Sequence, residues 1–312
     1  MIPMNIVIII FLLYLAAGFI ENHVHAKNVR RIPLRILVNG TRGKTSVTRL
    51  IAAALNEAGI RTYGKTTGSQ ARYLLPDGSE LEYRKKRPVN IIEQVRFIQC
   101  AKKGGAQAVV VECMALKPEN QLVTAEKLIC PQYTVITNAF VDHMDEIGET
   151  EEETVRTLAL SIPKDGAVVT GDARFAPFAL RYISPADIAC DEVSLDFSYP
   201  IHADNLRLAL ALTDELKIPR EKALSGMSAA KPDLGMSGPF HIGECTVHNA
   251  FAANDPVSFR AALEHCEKHG GYALLFNHRA DRSYRLKAFA SVVSQAACKP
   301  DRIGVIGDNR AW

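Results

Sequence analysis

The sequence has little excess charge of either sign. Among its 312 residues, 37 lysines and arginines stand against 34 aspartates and glutamates, so the formal net charge is only +3. A nucleic-acid-binding surface needs a strong basic excess, and this balance gives none. The hydrophobic share of 47% is typical of a folded protein rather than of a disordered chain. We therefore predict no nucleic-acid partner.

Paired cysteines are also missing. The seven cysteines are scattered singly, with no Cys-x-x-Cys pair among them. An odd number of separated cysteines argues against a zinc knuckle and against a disulfide framework. Such thiols are typical of a reducing compartment, where they pack as small apolar side chains.

Charge is absent for longest at the N-terminus. Residues 2–20 carry no charged side chain, and about 20 apolar residues suffice to cross a bilayer as a helix. Lys27, Arg30 and Arg31 follow this run, so the positive-inside rule places the rest of the chain in the cytoplasm. A cleaved signal peptide is the alternative, with a small-residue site at Ala16-Ala17-Gly18, but it lacks the basic residues that should precede its apolar run.

Apolar runs alternate with helical patterns through the middle of the chain. Four runs are typical of buried strands: residues 35–38, 108–112, 133–137 and 167–170. Three helical patterns lie between them: residues 45–57, 91–102 and 149–160. This alternation predicts an α/β fold with a wound parallel sheet that is covered on both faces. An Asp77-Gly78 turn predicts an inserted hairpin between residues 73–75 and 80–83.

Glycine and proline concentrate at residues 232–239, which is typical of a linker between domains. A shorter alternation follows it: strand 245–251, helix 255–268, strand 272–277, helix 283–297 and strand 302–306. We therefore predict a transmembrane anchor over residues 1–22, a central domain over 33–231 and a smaller, Rossmann-like C-terminal domain over 239–312. The last of these is too short for a complete wound sheet.

The strongest chemical signal is Gly40-Thr41-Arg42-Gly43-Lys44-Thr45-Ser46, directly after Asn39 at the end of a predicted strand. Backbone N–H groups in such a turn, with the positive end of the following helix, bind phosphate oxygens. Lys44 would neutralise the β- and γ-phosphates, and the Thr45 hydroxyl would ligate Mg²⁺. Val38 stands where the usual phosphate loop has its first glycine. The segment from Asn39 to Ser46 predicts ATP and Mg²⁺ as cofactors.

Acidic side chains and a histidine follow two further strands. Glu112 ends the strand at 108–112, where the carboxyl ends of parallel strands form a ligand crevice, so it is a candidate Mg²⁺ ligand or general base. Asp142-His143-Met144-Asp145 follows the strand at 133–137 and offers metal and water ligands. A solvated strand-end acid is the alternative for Glu112, and a helix cap beside a surface histidine is the alternative for the Asp-His pair.

These motifs, in this order, resemble those of the Mur ligase superfamily, which includes peptidoglycan amino-acid ligases and folylpolyglutamate synthase. Within it, the chain is most similar to the ligase subunits of poly-γ-glutamate (capsule) synthases, from the N-terminal anchor to about residue 310. The segments that carry this similarity are Gly64-Lys65-Thr66-Thr67-Gly68, Glu112-Cys113-Met114-Ala115, Asp142-His143-Met144-Asp145, Phe251-Ala252-Ala253-Asn254-Asp255 and Arg279-Ala280-Asp281-Arg282.

The resemblance implies an ATP-dependent amide ligase. ATP would phosphorylate a substrate carboxylate, and the amine of an incoming amino acid would displace the phosphate. Lys44, with Mg²⁺ held by Thr45 and Glu112, would offset the charge on the transferring phosphoryl group. His143 would hold a second Mg²⁺. Lys44, Glu112 and His143 are thus the predicted catalytic residues.

The resemblance also implies contacts beyond the phosphate turn. Asn138 and Asn205 would lie near the adenine, although Asn205 is equally predicted as the cap of the helix over 206–212. Arg279 and Asp281 would reach ATP from the C-terminal domain, with an ordinary surface ion pair as the alternative. The predicted substrate-binding residues are Thr66, Thr67, Gly68, Phe251, Asn254 and Asp255, of which the last three equally fit a plain turn.

Partners and location follow from the same resemblance. They are glutamate, a growing poly-γ-glutamate chain and the small membrane subunits of a synthase and export complex. The protein would be a single-pass protein of the cell membrane with its catalytic part in the cytoplasm, and it is compatible with an oligomer.

Three features depart from the superfamily. Other members carry a carbamylated lysine some fifteen residues after the Asp-His pair, where this chain has Thr157-Leu158-Ala159. Met236-Ser237-Gly238 stands where the linker usually has an arginine, and the C-terminal domain is short. Two alternatives therefore stay open: another Mur-type or folate-type ligase, and a membrane-anchored ATP-binding regulatory subunit without catalysis.

Overall fold

A computed structural model gives the architecture of the chain. It describes residues 3–68, 71–83, 90–141, 146–186, 188, 202–232, 240–250, 253, 256–267, 271–278 and 284–307. The chain divides into two compact units. The first comprises Met1–Phe197 with Ile201–Asp233, and the second comprises Ser198–Pro200 with Leu234–Trp312.

The first unit begins with helix α1, Met4–Arg30. Its side chains are exposed as far as Val24, after which His25 and Val29 are buried. Among the described residues it is the one helix that is long and apolar enough to cross a membrane. Length and composition alone support that reading.

A single sheet of eight strands forms the centre of this unit, in the order β4-β3-β2-β5-β1-β6-β7-β8. The strands are β1 Leu34–Asn39, β2 Thr62–Thr66, β3 Arg72–Leu74, β4 Glu80–Glu82, β5 Ala108–Glu112, β6 Tyr133–Ile136, β7 Ala167–Val169 and β8 Arg181–Ile183. The pairs β2–β3 and β3–β4 are antiparallel. All other neighbouring strands in this sheet run parallel. The carboxyl ends of β5, β1 and β6 therefore meet at one rim.

Helices cover both faces of the sheet. They are α2 Lys44–Glu57, α3 Glu93–Lys103, α4 Pro118–Val123, a π-helical turn Thr124–Ile129, α5 Glu151–Ala159, a 3₁₀ segment Ala173–Phe178, α6 Ala203–Glu215 and α7 Arg220–Ser228. Side chains alternate along β1, so Ile36 and Val38 pack against α2, α6 and α7. Leu37 points the other way, into the cluster formed by the end of α1, α3 and the π-helical turn.

The second unit is smaller. Its elements are the hairpin β9 Phe240–Ile242 and β10 Cys245–Val247, then α8 Pro256–Glu267, β11 Ala273–His278, α9 Tyr284–Gln295 and β12 Arg302–Gly307. Strands β11 and β12 pair in parallel. Both helices contribute aromatic rings to the core, where Phe259 stacks on Phe289 with centroids 4.3 Å apart.

The predicted α/β class, the parallel central strands and the hairpin at Asp77-Gly78 are confirmed. Strands β2 and β8 were not predicted, because β2 contains a glycine and a lysine and β8 has only three residues. The single strand predicted at 245–251 is wrong in extent. It ends at Val247 and pairs with β9 across a turn in which Gly243 has φ +59°.

Helix α5 begins with a reciprocal cap that gives a test of this fold. The Thr150 hydroxyl accepts from the Glu153 N–H at 3.2 Å, and the Glu153 carboxylate accepts from the Thr150 N–H at 3.2 Å. Thr150→Ala should lower the free energy of unfolding by about 1 kcal/mol, because one N–H of the first turn loses its partner. Urea unfolding followed by circular dichroism measures this. Thr150→Ser is the matched control and should stay near wild type, and equal loss in both variants would contradict the cap.

Candidate functional site

The turn between β1 and α2 lies at the carboxyl rim of the sheet. Helix α2 begins at Lys44 and is capped by Gly43, which has φ +81°, while Gly40 has φ +121°. Side chains rarely tolerate such left-handed backbone. There is also no room for a side chain, since a Cβ on Gly40 would overlap the Thr137 hydroxyl and a Cβ on Gly43 would overlap the Asn205 amide. Both glycines are therefore required by the turn itself.

Asn138, in the loop after β6, holds the turn from one side. Its Oδ1 accepts from the Thr41 hydroxyl at 2.6 Å and from the Arg42 N–H at 3.0 Å. Its Nδ2 donates to the Arg42 carbonyl at 3.1 Å. Both polar ends of this side chain therefore bind the turn, and the adenine contact expected of Asn138 stays a prediction.

Asn39 holds the turn from beneath. Its side chain is buried, with Nδ2 donating to Gln121 Oε1 at 2.6 Å and to Ser161 Oγ at 2.9 Å. Its Oδ1 accepts from the Gly40 N–H at 2.9 Å. Asn39 thus supports the turn from below, and its predicted role in nucleotide binding stays a prediction. Gln121 and Ser161 were missed by the sequence reasoning, since neither belongs to a motif.

Lys44 folds back over the turn. Its Nζ donates to the Gly40 carbonyl at 2.5 Å and lies 3.4 Å from the Thr41 carbonyl. The ammonium group is thereby held at the turn, where a phosphate would need a counter-charge. Ser46 follows in the first turn of α2, half-buried.

Glu112 and Thr45 come together across the rim. The Glu112 carboxylate is only 3% exposed, and its Oε2 accepts from the Thr45 hydroxyl at 3.0 Å and from the Thr67 N–H at 2.7 Å. Adjacent ligands around an octahedral Mg²⁺ lie about 2.9 Å apart, given bonds of 2.0–2.1 Å. The spacing of these two oxygens therefore fits a shared Mg²⁺ ion.

The end of β2 borders the same rim. Thr67 is half-buried and Gly68 exposed, whereas Thr66 is fully buried and its hydroxyl has no hydrogen-bond partner among the described residues. Of these three predicted substrate residues, Thr67 and Gly68 present surface to a ligand.

Lys65 is fully buried, and no role was predicted for it although it lies in one of the segments that carry the family resemblance. Its Nζ donates to Gln94 Oε1 at 3.2 Å, lies 3.4 Å from Glu93 Oε2 and 3.8 Å from Met114 Sδ. It thereby ties β2 to the start of α3 and to the loop that follows Glu112. Desolvation of its charge is offset by these partners.

Asn205 reaches the turn from α6. The predicted capping role is wrong, because His202 is the N-cap and its Nδ1 accepts from the Asp204 N–H at 3.4 Å. Asn205, one turn into the helix, instead packs against Gly43. Its contact with the nucleotide stays a prediction, and the position of Asn205 beside Gly43 supports it.

Cys113 lies beside Glu112, in the apolar cluster formed with α3 and the π-helical turn. It is buried, and burial raises the pKa of its thiol to about 11, so the thiol stays protonated near neutral pH. Its Sγ lies 4.0 Å from Gln121 Oε1. It acts as a packing residue.

Several predicted residues lie outside the described part of the chain. They are His143 with the rest of Asp142-His143-Met144-Asp145, and Phe251, Asn254, Asp255, Arg279 and Asp281. Their roles stay predictions. In the part that is described, no group of three or more His, Cys, Asp or Glu side chains is arranged to hold a metal ion.

The buried support of the turn predicts a binding defect without contact to the nucleotide. Gln121→Leu removes the acceptor of the Asn39 amide and should weaken ATP binding about fivefold or more, since a lost buried hydrogen bond costs about 1 kcal/mol or more. Titration with a fluorescent ATP analogue measures the Kd. Gln99→Leu, an exposed position on α3, is the matched control. An unchanged Kd in folded Gln121→Leu would show that the support is dispensable.

Two protein-family models match the chain. The Mur ligase middle domain covers residues 38–194, and the poly-gamma-glutamate synthase CapB C-terminal domain covers residues 239–312. PGA synthase CapB of Bacillus subtilis (strain 168) is 35% identical, over 93% of this chain and 79% of that protein. Capsule biosynthesis protein CapB of Bacillus anthracis is 34% identical, over 88% of this chain and 63% of that protein.

Solved structures share the fold. A bifunctional folylpolyglutamate synthase/dihydrofolate synthase with Mn, AMPPNP and L-glutamate bound superposes with a TM-score of 0.70 at 17% identity, covering 91% of this chain and 77% of that one. At this identity the likeness concerns the fold alone. The identity with the two Bacillus proteins and the domain matches show the family: the chain belongs to the CapB poly-γ-glutamate synthases of the Mur ligase superfamily.

Proposed function

We propose that this protein is an ATP-dependent amide ligase that joins glutamate to a growing poly-γ-glutamate chain. One observation carries the proposal: the glycine turn, Lys44, Thr45 and Glu112 converge on a single rim of the sheet. Membership of the CapB family supports the choice of glutamate as the amino acid. The geometry by itself supports phosphoryl transfer from a nucleotide.

The reaction divides into two steps. The carboxylate of the acceptor attacks the γ-phosphorus of ATP, which forms an acyl phosphate and releases ADP. The amine of the incoming glutamate then attacks the acyl carbon, phosphate leaves, and the amine loses a proton as the amide forms. Both steps require that negative charge on phosphoryl oxygens be stabilised.

The chain's own residues meet this requirement at the rim. Backbone N–H groups at the start of α2 and the Lys44 ammonium would bind phosphate oxygens. Thr45 and Glu112 would hold Mg²⁺, which supplies positive charge to the phosphoryl group when it is bound. We assign Glu112 to the metal rather than to proton transfer, because it is buried and already accepts two hydrogen bonds. His143 is our candidate for a second metal.

Substrate residues complete the proposal. Thr67 and Gly68 would face the acceptor chain, because they lie at the rim beside Glu112. Asn205 would contact the nucleotide next to Gly43. For Phe251, Asn254, Asp255, Arg279 and Asp281 the support is the family resemblance of the motifs that contain them.

We further propose that α1 anchors the protein in the cell membrane as a single span, with the catalytic part in the cytoplasm. The exposed apolar side chains of its first part support this. Small membrane subunits of a synthase are the proposed partners. Membership of the family of PGA synthase CapB favours a working ligase over a regulatory subunit that only binds ATP.

Lys44→Ala should lower the rate of glutamate-dependent ADP release about a hundredfold or more, because the transferring phosphoryl group loses a counter-charge. The assay uses the protein with co-expressed membrane subunits, ATP, Mg²⁺ and L- or D-glutamate, and measures ADP together with acid-stable amide polymer. Lys222→Ala, an exposed position on α7, should behave as wild type.

Variants at Thr45 separate the metal role from phosphate binding. Thr45→Ser keeps the hydroxyl and should retain most of the activity, whereas Thr45→Val should lose it. If Lys44→Ala releases ADP in response to glutamate as fast as wild type, the proposed role of Lys44 is wrong. If glutamate never stimulates ADP release by the wild-type protein, the ligase proposal is wrong. ATP binding without any amino-acid-dependent turnover would favour the regulatory subunit.

A further inference from the structure

Helix α1 passes from its apolar part into the domain without a linker. The uncharged run ends at Ile20, and the first buried side chain is His25. Only residues 21–24 lie between them, all within the same helix, which corresponds to about 6 Å at a rise of 1.5 Å per residue. The domain therefore begins little more than one helical turn after the apolar span.

The end of the helix is fixed to the domain. His25 Nε2 donates to the Leu128 carbonyl at 3.0 Å, and Val29 packs in the same apolar cluster as Phe97 and Leu128. Arg35, at the start of β1, donates to the Ile32 carbonyl at 2.6 Å and to the Cys130 carbonyl at 2.8 Å. These contacts, made at the amino end of the sheet, hold the helix at one orientation.

Basic side chains collect around this junction. The last two turns of α1 carry Lys27 and Arg30, with Arg31 directly after them, and the π-helical turn carries Lys127. Burial raises the pKa of the Cys130 thiol, whereas the charges of Arg35, Lys127 and Arg30 act to lower it, so all three lie within electrostatic reach of Cys130.

The end of α3 extends the same positive region. Lys102 and Lys103 form its last turn, and the loop that follows reaches β1, where the Leu34 N–H donates to the Gln107 carbonyl at 3.1 Å. Glu21 and Glu126 are acidic side chains in this region, and Glu126 is offset by Lys164 at 3.8 Å. We define the basic junction as Lys27, Arg30, Arg31, Lys102, Lys103 and Lys127.

We propose that the basic junction rests on the anionic lipid headgroups of the membrane that α1 spans. The inference builds on the membrane anchoring proposed above. A headgroup layer is about 5–8 Å thick on each side of the hydrocarbon core, close to the length of helix between the apolar run and the domain. Lys27 and Arg30 lie about 10 and 15 Å along the helix from Ile20. Their charges therefore fall within about a Debye length of that layer, the range over which lysine and arginine are attracted to anionic lipids.

This contact leaves the nucleotide rim uncovered. The basic junction lies at the amino edge of the sheet, whereas the glycine turn follows the carboxyl end of β1. A strand of this length spans about 20 Å. The headgroups would therefore hold one edge of the domain while ATP and glutamate enter at the other.

The test compares amine reactivity in two bilayers. The full chain is placed in nanodiscs of phosphatidylcholine alone, or with about a third phosphatidylglycerol, and lysines are acylated briefly and mapped by mass spectrometry. Lys27, Lys103 and Lys127 should react about threefold or more slowly in the anionic discs, and about 0.5 M NaCl should reduce the difference. Lys222 is the reference within the same sample and should react equally in both.

Charge reversal separates the junction from general effects. Arg30→Glu with Arg31→Glu should restore the reactivity of Lys103 and Lys127 in anionic discs, whereas Lys222→Glu should leave their protection intact. Circular dichroism confirms that each variant is folded. Equal reactivity in the two bilayers overturns the proposal while the anchoring stands. A chain that does not co-purify with the discs overturns the anchoring, and the lipid contact with it.

Discussion

The hydrogen-bonded clamp on the turn between β1 and α2 is the constraint on which the site depends. Asn138 binds the turn from the loop after β6, and Asn39 supports it through Gln121 and Ser161. The two left-handed glycines give the turn its shape, but glycine is flexible and would not hold that shape by itself. A flexible turn would lose conformational entropy on binding phosphate. The clamp orders the turn in the folded protein, so the proposed phosphate site would lose little entropy on binding.

Strand order explains why this clamp is available. Strand β1 lies between β5 and β6, so the ends of all three strands meet at one rim although their segments are far apart in the chain. The same parallel arrangement places Glu112 beside Thr45. Glu112 is buried, where charge interactions are stronger than in solution, and a buried carboxylate needs partners, which the Thr45 hydroxyl and the Thr67 N–H provide.

The amino edge of the sheet holds the end of α1. Burial of His25 and Val29 joins α1 to the domain, so the orientation of the domain relative to α1 is fixed by packing and not by a flexible tether. A free linker of similar length would permit many orientations. The proposed phosphate site and the buried end of α1 are thus separated by the length of β1.

Local patterns in the sequence were sufficient for the α/β class, the hairpin, the glycine turn, the position of Glu112 and the apolar helix, because each depends on neighbours a few residues apart. The tertiary structure decided the rest. Gln121 and Ser161 lie 82 and 122 residues from Asn39, and no spacing rule links them. The burial of Lys65, the strand character of β2 and the replacement of Asn205 by His202 as a cap were likewise settled by packing between distant segments, which outweighs local propensity.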